Sequence, residues 1–82
     1  MTIPVVRDAA AVDAVIQSLG NRKPLLAAPR HPQIDAMIIV LGDRLEVAEI
    51  LQRWPASPGV LCGALTARAW LIGDLDDLPD SH

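Results

Sequence analysis

The chain contains no Phe and no Tyr, and its only aromatic side chains are Trp54 and Trp70. It has one cysteine, Cys62, and two histidines, His31 and His82. A single thiol excludes an internal disulfide framework and any cluster of cysteine metal ligands. Two histidines without an HxxxH or HExxH spacing make no metal motif, so neither a metal nor a cofactor is expected. The five glycines are scattered and form no GxGxxG or P-loop signature. The longest purely apolar run, residues 36–41, is six residues, far short of the ~20 that a membrane helix needs. Arg7 and Asp8 stand where a signal peptide would carry its apolar stretch. With an unpaired cysteine, these absences make a reducing, cytoplasmic setting the default expectation.

What is abundant is small aliphatic bulk. Twelve Ala, eleven Leu, seven Val and seven Ile dominate an 82-residue chain that is 51% hydrophobic. That is one folded domain, near the lower size at which a single core suffices. The formal charge is −3, and four of the ten acids, Asp74, Asp76, Asp77 and Asp80, fall in residues 74–82 without a Lys or Arg. Residues 1–73 are therefore read as a nearly neutral domain and 74–82 as an acidic, flexible tail. A near-neutral body lacks the basic footprint of a nucleic-acid binder and the polybasic cluster of a membrane-surface protein.

Two segments share an amphipathic pattern at an offset of 35 residues. In the first, Asp8 is the expected N-cap and Val12, Val15, Ile16 and Leu19 share one face. In the second, Asp43 is the expected N-cap, with Glu46 three residues on, and Val47, Ile50, Leu51 and Trp54 repeat the spacing until Pro55 stops it. Residues 3–6 and 38–41 precede these helices as β-branched runs, and residues 25–28 and 60–63 follow them as apolar runs. Each unit reads strand–helix–strand. The expected fold is therefore α+β, a ferredoxin-like β-α-β-β-α-β two-layer sandwich with residues 29–33 as the central turn. Residues 58–72 carry two readings. As strands, 59–65 is the fourth and 68–72 a fifth. As a helix in a small α/β layer, Ser57 caps it, Pro58 opens it and Gly73 ends it. Gly59 and Gly63 weigh against the helix by about 1 kcal/mol each.

Candidate chemistry is sparse. His31 lies beside Pro32 in the expected turn, and an acid–base pair with Asp35 would require a helix there. Cys62, expected in an apolar strand, reads as a small hydrophobe, and a Cys62–His31 pair would depend on tertiary proximity. The strands do not alternate apolar with polar residues, which implies that both sheet faces are covered. From this follows the expected function: a small non-enzymatic interaction or regulatory module using an apolar sheet face, as a homodimer or with a partner protein. Its expected contact residues are Trp70 and Ile72, with Leu75 and Leu78 as apolar anchors beside Asp76 and Asp77. In outline the architecture is also similar to ligand-sensing ACT-type domains, which implies a small ligand at a dimer interface. A small enzyme or enzyme subunit using His31 and Asp35 is the third option.

Overall fold

Asp8 starts the first helix as its spacing predicts. Its backbone is extended, and its Oδ1 accepts the Ala11 N–H at 2.8 Å, satisfying one of the orphan donors of the first turn. Helix α1 then spans Ala9–Arg22 and turns Val12 and Leu19 fully inward. Beyond it, the computed structural model, which describes residues 7–78, departs from the expected sandwich. Two 3-10 turns, Lys23–Leu25 and Ala28–Arg30, lead into α2 (His31–Asp43), followed by α3 (Val47–Arg53) and α4 (Pro58–Leu71).

No strand occurs among the described residues, which form a small all-helical bundle. The α+β ferredoxin-like sandwich and the α/β layer are both overturned. Of the expected strands, residues 3–6 lie outside the described residues. Residues 25–28 form turns, 38–41 belong to α2, and 59–65 and 68–72 belong to α4 and its C-cap. The helical reading of 58–72 is the one that forms locally, with Ser57 as N-cap and proline in its first position. The turn expected at 29–33 is half right: it is a 3-10 turn that runs directly into α2.

The misread segments share a physical cause. Helix α2 packs against α1 and against α4, and α4 in turn packs against α2 and α3. Ile34, Ala36, Met37, Val40 and Leu41 of α2 are all buried, and Ile38 and Ile39 pack against the same core. A helix covered on more than one side loses the one-faced period of an amphipathic helix, and its sequence then resembles a buried strand.

Glycine in α4 is explained by the same crossing. Gly63 is buried, and a Cβ there would sit 2.5 Å from Gln33 Cγ of α2. Ala64 and Ala67 continue the buried side of α4, so the small residue at 63 leaves room for the Gln33 side chain of α2. The helix ends in a Schellman turn. Gly73 adopts φ 88°, its N–H donates to the Trp70 carbonyl at 3.1 Å, and the Asp74 N–H donates to Ala69 at 2.8 Å.

The second cap is displaced from its expected place. Asp43 closes α2 and is followed by Arg44 in the left-handed region at φ 53°. Glu46 caps α3: its carboxylate accepts the Glu49 N–H, and Glu49 Oε1 accepts the Glu46 N–H at 3.4 Å. A capping box is present, three residues later than the sequence pattern placed it.

Three substitutions test this packing by thermal melts. Gly63→Ala should lower stability by about 1 kcal/mol, as the clash with Gln33 outweighs the gain in helix propensity. Gly20→Ala, in α1 with nothing within 4 Å of a new Cβ, should raise it by up to about 1 kcal/mol. Arg44→Gly should also stabilise, by about 1 kcal/mol, because glycine carries no penalty at positive φ. Each corresponds to a Tm shift of roughly 4–8 °C.

Candidate contact surface on the third helix

With no sheet among the described residues, there is no apolar sheet face to act as a contact site. The ACT-type reading loses its β-α junctions for the same reason. The candidate chemical residues are dispersed into local roles. His31 opens α2, where its Nε2 lies 3.1 Å from the Leu26 carbonyl oxygen. Asp35 is one turn further along the helix that sequence reasoning held unlikely there, and it pairs with Lys23 Nζ at 2.7 Å. Cys62 is exposed on α4 rather than buried in a strand, and its carbonyl accepts the Thr66 hydroxyl at 2.7 Å. Among the described residues no group of three His, Cys, Asp or Glu side chains converges as a metal site. No described helix is long and apolar enough to cross a membrane.

The expected contact residues near the C-terminus are largely occupied within the chain. Trp70 is only 6% exposed and Leu78 is fully buried. Ile72 and Leu75 are half-buried, while Asp76 and Asp77 are exposed. Arg7 joins these elements. Its guanidinium stacks 5.0 Å from the centre of the Trp70 ring. Its Nε donates to the Trp70 carbonyl at 3.0 Å, and a second nitrogen donates to the Leu75 carbonyl. Its backbone N–H adds a bond to Leu71 at 3.4 Å. A cation at the end of α4 also meets the negative pole of that helix.

The apolar surface that stays open is on α3. This seven-residue helix buries only Ile50. Val47 and Leu51, one turn apart, are 47% and 48% exposed, and Trp54 continues their line as a half-buried ring. At 100° per residue, Val47 and Leu51 share one flank, Ala48 and Gln52 face outward, and Glu49 and Arg53 take the other flank. That second flank borders a concavity of about 550 Å³ lined by Asp43, Leu45, Glu49, Gln52 and Arg53. Arg53 is held there, 4.0 Å from Asp43 and with its guanidinium 5.8 Å from the Trp54 ring centre. Sequence reasoning assigned Val47 and Leu51 to a core-facing side. No signal in the sequence marked this: a cap at Asp43 would have given a longer helix to dock, whereas α3 begins only at Val47. Leu25, in the first 3-10 turn, is also exposed, but stands alone.

Comparison with protein-family models, with curated protein sequences and with solved structures returns no match.

Ile50→Ala should cost about 2–4 kcal/mol, since it empties a fully buried position. The double change Val47→Ser and Leu51→Ser should move stability by no more than about 1 kcal/mol. Arg7→Ala should cost about 2 kcal/mol and red-shift the Trp70 emission as water reaches the ring. Arg7→Lys, which keeps the charge but loses the planar fork, should fall between. Denaturant titration followed by tryptophan fluorescence measures all four.

Proposed function

We propose that the protein is a small helical interaction module that binds a partner protein through α3. One observation carries the reading. Val47 and Leu51 lie half-exposed on one flank of a helix whose one buried residue is Ile50, with Trp54 at its C-cap packed against the core. The other large aliphatic side chains of the helices are buried or pack against the core. Adjacent apolar side chains held in the open on a fixed helix are the arrangement that protein contacts use. The helix is short enough that covering this flank would also stabilise it, since an isolated helix of this length does not persist in water.

A photo-crosslinking amino acid placed at Leu51, with a second at exposed Asp13 of α1 as control, tests the reading in the native host. Position 51 should give discrete protein adducts that position 13 does not. Equal labelling from both, or none from position 51, would overturn it.

A further inference from the structure

We infer that the occupant of α3 is a basic amphipathic segment of a partner protein, a deduction that rests on the reading of α3 as the contact helix. On this helix charge stands beside apolar surface. The flank of Val47 and Leu51 is uncharged, so it calls for aliphatic side chains. Across the outward face, past Ala48 and Gln52, stand the carboxylates of Glu49 and, at the N-cap, Glu46. Each uses an oxygen to cap the helix, and neither has an ion-pair partner among the described residues. Arg53, the basic residue of the helix, is drawn to Asp43 and stacked on Trp54. Arg44, in the left-handed turn, is the other base of this corner.

A docking segment therefore meets Val47 and Leu51 on one flank and, across the outward face of the helix, the carboxylates of Glu46 and Glu49, the latter lining the open concavity. Leu or Ile facing the first and Lys or Arg facing the second satisfy both. An acidic segment would face like charge. A second copy of the chain is the weaker occupant, because its own α3 presents the same carboxylates.

The experiment titrates the ¹⁵N-labelled full chain with two synthetic amphipathic peptides of about 18 residues, long enough to form a helix. One is built from Leu and Lys, the other from Leu and Glu in the same pattern. The Leu/Lys peptide should shift the amides of residues 43–54 and bind at least about tenfold more tightly than the Leu/Glu peptide, a difference that shrinks at high salt. Glu46→Gln with Glu49→Gln keeps the capping oxygens while removing both charges, and should cancel most of that preference. Val47→Ser with Leu51→Ser should abolish binding of either peptide.

Equal affinity for the two peptides overturns the inference, as do shifts centred on residues 74–78, the other acidic segment. Shifts of residues 43–54 that grow with protein concentration and need no peptide would make a second copy the occupant. That result defeats the inference and leaves α3 as the contact helix. Silence of α3 toward both peptides and toward self-association, together with no adduct from position 51, removes the functional reading as well.

Discussion

The close crossing of α2 and α4 at Gly63 and Gln33 is the constraint on which the rest of the bundle depends. In a chain this short the core is made mostly of aliphatic side chains, and it is completed by bringing helices near each other rather than by filling space with rings. Gly63, Ala64 and Ala67 remove side-chain bulk from α4 where α2 presents Met37, Val40 and Leu41 to the core. The crossing also places Arg68, buried on α4, where its Nη1 donates to the Leu45 carbonyl at 3.3 Å, just past the end of α2. No carboxylate pairs with this cation among the described residues. The carbonyl end of α2 supplies partial negative charge in its place. The turn leading to α3 is thus held from below by α4, and α3 takes its position at that corner.

A second tie joins the beginning of the described chain to its end. Arg7 spans the Trp70 ring, the end of α4 and the Leu75 carbonyl, and Leu78 is buried beyond it. Small domains gain little from core volume alone, and this tie adds contacts between segments far apart in the sequence. The consequence for function is that the expected docking residues Trp70 and Leu78 are spent on stability. The surface left open is on the short helix α3.

The 35-residue pattern shows how far sequence could lead. Val12, Ile16 and Leu19 in α1 correspond to Val47, Leu51 and Trp54 in α3, residue class for residue class. In α1 the pattern is fulfilled: fourteen residues lie along α2, and Val12 and Leu19 are buried. In α3 only Ile50 is buried, because seven residues between a turn and Pro55 give fewer than two helical turns to lay against α4. Periodicity states which side chains could share a face. It does not state whether a neighbour exists to cover that face, and here that difference separates core from candidate contact surface.

By itself the sequence determined the Asp8 cap and the stop of α3 before Pro55, and it offered, beside a strand reading, a helix from Pro58 to a stop at Gly73; these features are set by neighbouring residues. These are local because capping bonds and restricted backbone angles act within a few residues. Only the tertiary structure decided that residues 38–41 and 60–65 are helical. A continuous apolar run satisfies a strand buried on two faces and a helix covered on two sides equally well. The choice falls to long-range packing, where Gly63 fits Gln33 and Arg68 meets the end of α2. The same packing left Val47 and Leu51 in the open.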